Sequence, residues 1–145
     1  MSSKTVLVDT NVLIYAIDLE SRFHSCAVKF LSNSSISLFT TSKNISEFLV
    51  VLTRNRELSL SVNECWRVLN SLLKNFTILY LFRFSLSIFK ELTEKYEPKG
   101  LRIHDVEIAS IGISFGVSTI LTNNPADFDY IDEFVVEPLC KNTEE

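Results

Sequence analysis

The sequence predicts an α/β fold in one domain: a mostly parallel sheet of four or five strands with helices on both faces. Three observations predict it. Short apolar runs rich in β-branched residues alternate along the chain with longer segments whose apolar residues recur at helical spacing. A chain of 145 residues has room for one sizeable core. Three Gly and three Pro are too few for a turn-dense all-β chain or a linker-rich one. No repeat, low-complexity segment or linker interrupts the pattern. The reading is therefore a single domain over residues 1–145, with its core at about 5–137 and a polar, fraying tail after it.

The elements are read in order. Residues 5–9 form a buried strand that stops at Asp9, and a helix follows from about Asn11 to Leu19. A second helix runs from His24 to Leu31, with a turn at Asn33-Ser34-Ser35. Ile36–Thr40 is a short strand, and Thr41-Ser42 offers an N-cap. The next helix carries Ile45, Phe48, Leu49 and Leu52 as an apolar stripe, with Glu47 at its edge. Ser61 and Glu64 make a capping box that opens a helix ending near Asn75. Phe76–Phe82 reads as a strand, Leu86–Tyr96 as a helix, and Pro98 and Gly100 punctuate a loop. A helix over Ile103–Phe115 stops at Gly116, and a strand follows over Val117–Leu121. A polar turn starts at Thr122, and Phe134–Glu137 is a last short strand.

Composition excludes several classes. The net charge of −4 is wrong for a protein that coats nucleic acid by bulk positive charge. Any contact with nucleic acid must be local and bridged by a cation. The three cysteines, Cys26, Cys65 and Cys140, match no zinc or redox spacing and are expected to be reduced bystanders. No signal peptide is recognisable, and the longest apolar stretch, Phe76–Phe89, is too short and too interrupted to span a bilayer. The expectation is a soluble, cytoplasmic protein with no membrane partner.

Four acids fall at informative places. Asp9 ends the first strand, where open α/β sheets place their ligands. Glu47 lies on the helix after the second strand, Asp105 in the first turn of the helix before the fourth, and Asp127 just beyond that strand. Each borders an apolar residue: Val8, Phe48, Val106 and Phe128. Acids beside buried positions are costly unless paired, hydrogen-bonded or bound to a cation. Carboxylates converging on one cleft repel one another and call for a hard divalent ion, Mg²⁺ or Mn²⁺. That chemistry suits attack of water on a phosphodiester. The plainer reading makes Asp9 a strand end and Asn11 a helix cap.

The stretch Val8-Asp9-Thr10-Asn11-Val12-Leu13-Ile14-Tyr15, the Ser46-Glu47-Phe48 helix, the His104–Ala109 helix and Leu121-Thr122-Asn123-Asn124-Pro125-Ala126-Asp127-Phe128 resemble the successive motifs of PIN-domain ribonucleases. Their order and spacing are similar to the small VapC-like toxin type. The resemblance implies a Rossmann-like sheet, metal-dependent RNA cleavage, a cognate antitoxin and a homodimer. It places Asp9, Glu47 and Asp105 at the three main acidic positions. It places Thr122 at a hydroxyl position that helps to hold them, with Thr10 and Asn11 in the first motif. Many relatives carry an acid where this sequence has Asn124. Asp127 is expected to complete the site, with Asn124 orienting a water or a carboxylate.

Other residues read more plainly. Glu107, two positions after Asp105, should face elsewhere. His104, Arg102 and Lys99 suit a helix start and a loop as well as a proton or phosphate contact. Phe82, Phe84 and Phe89 read as core or dimer interface, and the helical segments 62–73 and 86–92 as faces for a second copy. Two alternatives stay open. A haloacid-dehalogenase-type phosphatase also puts an Asp after its first strand, but it needs a second Asp where Asn11 stands. A PIN-fold module that has lost activity would fit Asn124.

Overall fold

The structure, a computed structural model, describes residues 4–140. Five parallel strands form one sheet: β1 (Lys4–Val8), β2 (Ile36–Thr41), β3 (Phe76–Leu79), β4 (Thr119–Thr122) and β5 (Val135–Pro138). Their order is β3-β2-β1-β4-β5, so β1 is central. Six helices connect them: α1 (Thr10–Ile17), α2 (His24–Leu31), α3 (Ser42–Arg54), α4 (Val62–Leu72), α5 (Arg83–Tyr96) and α6 (Arg102–Ser114).

Side-chain alternation in the central strands divides the core in two, because successive residues of a strand point to opposite faces. Val6 and Val8 of β1, with Leu121 of β4, pack against Val12, Leu13, Phe48 and Leu52 of α1 and α3. Leu7 and Ile120 face the other way, onto Ile108 and Ile111 of α6, with Phe128 and Phe134. The part of a strand buried on both faces is apolar, which explains the Val6-Leu7-Val8 run before Asp9. Gly112 brings α6 down onto β1 on this second face. A Cβ there would stand 2.6 Å from the Val117 carbonyl oxygen and 3.3 Å from a Leu7 methyl.

The helix ends agree with the sequence. In the Ser61–Glu64 box, the Glu64 N–H donates to Ser61 Oγ at 3.1 Å and the Ser61 N–H donates to Glu64 Oε1 at 2.8 Å. Thr41 caps α3, and Gly116 takes a left-handed φ of +78° after α6.

Three expectations change. Asp9, not Asn11, is the N-cap of α1; its carboxylate accepts the Thr10 N–H. β3 ends at Leu79, not Phe82, because β2 offers it partners only as far as Thr41. Tyr80 and Phe82 are left exposed. Cys26 and Cys140 are not reduced bystanders: a disulfide joins them, Cα atoms 5.7 Å apart. Spacing rules see neighbours in sequence, whereas these two, 114 positions apart, meet only where the end of β5 returns beside α2. Cys65 is free and buried. No helix among the described residues is long and apolar enough to cross a membrane. The expected polar tail, 141–145, lies outside the described residues.

Candidate active site

The first strand delivers Asp9 to the carboxyl edge of the sheet at its centre. The Asp9 N–H donates to the Leu121 carbonyl at 3.0 Å, which extends the β1–β4 pairing to the acid itself. The side chain is 7% exposed and held by donors from three elements. Its Oδ1 accepts the Thr10 N–H at 2.9 Å and Asn44 Nδ2 at 3.3 Å. Its Oδ2 accepts Thr122 Oγ1 at 2.7 Å and Asn11 Nδ2 at 3.5 Å. Burial pushes the Asp9 carboxyl up to about 6 against the pull of the Thr122 and Thr10 donors; the charges of Glu47 and Asp127 push the same way as burial.

Glu47 comes from the second turn of α3. Thr10 Oγ1 donates to its Oε1 at 2.6 Å and itself accepts Asn44 Nδ2 at 3.0 Å. Asp105, in the first turn of α6, is half-buried. Burial raises its carboxyl to about 7, aided by the charges of Asp127, Asp9 and Glu47 and opposed by Arg102. Asp127 ends a 3₁₀ turn, Pro125–Asp127. The four acids line one cleft of about 300 Å³, together with Thr10, Asn11 and Asn124. Thr122 lies behind the cleft, fully buried. Every predicted site residue is thus at the cleft or directly supporting it. Asn124 is exposed, and its N–H donates to Thr122 Oγ1 at 3.0 Å. Glu107 does not line the cleft and pairs with Lys43 at 3.1 Å. His104 is exposed and does not line it either.

One residue of this network escapes the sequence reading. Asn44 is fully buried, and all of its side-chain polar atoms are used. Its Oδ1 accepts the Thr41 N–H at 3.3 Å and Thr41 Oγ1 at 2.6 Å, while Nδ2 holds Asp9 and Thr10. It stands at the N3 position of α3, where a capping box ordinarily has Glu or Gln. An amide there, one turn before Glu47, is the available signal. Asn44→Ala would strand these partners in a dry site. The expected cost is about 1–3 kcal/mol, read from denaturant unfolding.

The donor set tests whether a cation belongs here. Four carboxylates and no His or Cys at the cleft is hard-oxygen chemistry. Two of the acids are pushed toward protonation by burial and by their neighbours, and a positive charge would relieve this. Among the described residues, no three His, Cys, Asp or Glu side chains close around a common point. In donor chemistry the residues fit a divalent ion.

Comparisons with known proteins agree with this geometry. The DNA-bound VapBC2 structure from Rickettsia felis superposes with a TM-score of 0.72 at 19% identity, covering 94% of this chain and 99% of that one. DNA-bound VapBC from Salmonella typhimurium gives 0.69 at 21%, covering 95% and 99%. VapC20 of Mycobacterium tuberculosis, a Sarcin-Ricin loop cleaving toxin, gives 0.60 at 12%, covering 79% and 86%. No curated protein sequence matches the chain. The family model of the PIN domain matches residues 6–133, a span that holds all four acids of the cleft, and the chain belongs to the PIN-domain family.

Proposed function

We propose that this protein is a ribonuclease that hydrolyses RNA phosphodiester bonds with Mg²⁺ or Mn²⁺, and that it is the toxin of a toxin–antitoxin pair. The observation that carries the nuclease reading is the meeting of Asp9, Glu47, Asp105 and Asp127 on one cleft at the carboxyl edge of the sheet. Asp9 and Asp105 are the residues to hold the ion, with Glu47 and Asp127 beside them. A divalent ion supplies the positive charge that offsets a phosphodiester and makes water a competent nucleophile at neutral pH. The chain's own residues do the rest. Thr122, Asn44 and Thr10 fix both oxygens of Asp9, and Thr10 fixes Glu47. Asp105, on the facing helix α6, brings a second carboxylate to the same cleft beside Asp9. Water attacks phosphorus in line, the bond to a ribose oxygen breaks, and that oxygen takes up a proton.

The test is incubation of purified protein with mixed RNAs in Mg²⁺, Mn²⁺ or chelator, beside Asp9→Asn. Cutting that needs both the ion and Asp9 supports the reading; cutting that persists in chelator or in Asp9→Asn ends it. Hydrolysis of a small phosphomonoester instead would favour a phosphatase. Asn124 favours one second reading, an inactive module, because it leaves the cleft rim one charge short of many relatives. Calorimetric Mn²⁺ titration separates the two positions. Asn124→Asp should tighten binding and Asp127→Asn should weaken it, each by about tenfold, ~1.4 kcal/mol. An unchanged Asp127→Asn would reduce that acid to a turn residue.

The partner proposal rests on the VapBC neighbours and on an apolar groove of about 330 Å³ between α1, α3 and α4. Leu19, 81% exposed, and Leu58 stand at this groove, a surface that suits an antitoxin segment. Exposed Phe82, Phe84, Leu86 and Phe115 suit the proposed homodimer. A monomeric mass in solution across micromolar concentrations would exclude the dimer.

A further inference from the structure

The cleft has a second wall that the carboxylate chemistry does not use. Ile14, Tyr15 and Val51 line it together with the acids. Their placement follows from helix geometry. On α1, Ile14 and Tyr15 stand three and four residues after Asn11; on α3, Val51 stands four after Glu47. Residues so spaced share a helix face, about 5–6 Å apart. Two facing helices therefore each present a polar group at the acids and an apolar one a turn further out. The dimension matches a nucleotide, whose base lies a few Å from its phosphate.

Tyr15 is the most constrained member of this wall. Its ring packs on Phe23, centroids 4.9 Å apart, and the Arg22 guanidinium lies 4.8 Å from the Phe23 ring centre. Its hydroxyl accepts Asn123 Nδ2 at 3.1 Å, while the Asn123 N–H donates to Asn11 Oδ1 at 3.3 Å. The tyrosine is thus tied to the turn after β4 that also holds Asn11, and its hydroxyl proton is left to donate. An aromatic ring with a fixed polar tip beside a phosphate site is what an unpaired base requires: a face to stack on and a group to meet its edge.

We infer that Ile14, Tyr15 and Val51 form a nucleobase subsite, in which Tyr15 stacks on the base of a nucleotide flanking the cleaved bond in single-stranded RNA. The inference rests on the ribonuclease reading above and adds what that reading leaves open, how the substrate is held. A base inside a duplex offers no free face, so paired RNA is not taken. Ile14 and Val51 also border the apolar groove between α1, α3 and α4, but Tyr15 does not; it belongs to the cleft alone.

The experiment uses a short single-stranded RNA with a mapped cut, and copies carrying an abasic ribose at each position flanking it. With the wild-type protein, one abasic substitution should lower kcat/KM about tenfold, chiefly through KM. Tyr15→Leu keeps the apolar bulk without the ring. It should cut the intact RNA about tenfold less well and show almost no abasic penalty, whereas Tyr15→Phe should retain the penalty. Melting curves report whether each variant folds. An abasic penalty absent from the wild-type protein overturns the subsite, whatever the variants do. A penalty undiminished in folded Tyr15→Leu also overturns it and returns the apolar wall to the partner groove. No RNA cleavage by the wild-type protein ends the ribonuclease reading and this subsite with it; cleavage indifferent to flanking bases ends the subsite alone.

Discussion

In chelator at pH 8, Asp105→Asn should melt higher than the wild-type protein while having lost RNA cleavage by a factor of about 10²–10³ or more. The two effects share a cause. Among the described residues Asp105 has no hydrogen-bond partner that an amide would forfeit, and its carboxyl is raised to about 7 by burial and by Asp127, Asp9 and Glu47. Ionising it in the cation-free fold costs free energy, at about 1.4 kcal/mol for each pKa unit. Its partial exposure reduces that sum, leaving a gain of about 1–2 kcal/mol, or about 3–6 °C. Asp9→Asn should gain less. Its Oδ1 accepts two N–H donors and its Oδ2 a hydroxyl, so an amide must turn its NH₂ onto at least one donor. Thermal melts of both variants, run beside an RNA cleavage assay, test this ordering. An Asp105→Asn protein less stable than the wild type would mean that its carboxylate is a structural group.

The stability conferred by a divalent ion should grow with pH. Asp9 and Asp105 have folded-state pKa values raised from 3.8 to about 6 and about 7. A raised acid contributes stability that is complete below its unfolded pKa and is lost as pH climbs through the folded value. The cation-free protein should therefore weaken between about pH 4 and pH 7.5, by a few kcal/mol in all. Glu64 and Glu133 are shifted the other way, held down by Ser61 and by Lys95, so their contribution is complete above about pH 4.5, is lost only as pH falls below it, and stays constant over most of this window. Ion binding needs the ionised acids, so Mn²⁺ should offset the loss. Melting temperatures with Mn²⁺ and with chelator should nearly coincide at pH 5 and differ most at pH 8. A gap that stays constant from pH 5 to pH 8 would remove Asp9 and Asp105 from the ion site.

Particular residues show how much of this was legible in the sequence. The unbroken run before Asp9 identified a buried strand, because a strand covered on both faces reads as a near-continuous apolar run; that it is central is seen only in the sheet order. The Ser61–Glu64 box and the Ile45–Leu52 stripe each placed a helix from local chemistry alone. Convergence of the acids was not local. It depends on β1 lying between β2 and β4, which brings Thr122 to Asp9 across 113 positions. The wholly buried Asn44 looked like any first-turn polar residue, because its value lies in distant partners, Asp9 and Thr10, at the start of α1. The disulfide had no sequence signal for the same reason: Cys26 and Cys140 become neighbours only through the sheet order. β3 was read too long because strand propensity continues past Leu79 although its pairing partner does not.

The central position of β1 has a consequence for the protein during its own synthesis. The first site residue to leave the ribosome is Asp9, and its 2.7 Å donor, Thr122, is among the last. β2 can pair with β1 early, but β4 must insert on the other side before the Asp9 N–H finds the Leu121 carbonyl. Until then the acid stands at a sheet edge, hydrated and unconstrained, and Asp105 and Asp127 have no cleft to enter. A nascent chain that has not yet exposed β4 therefore carries the letters of the site without its geometry. The ribosome making this protein meets the finished cleft only after β4 and the Pro125–Asp127 turn have left the exit tunnel.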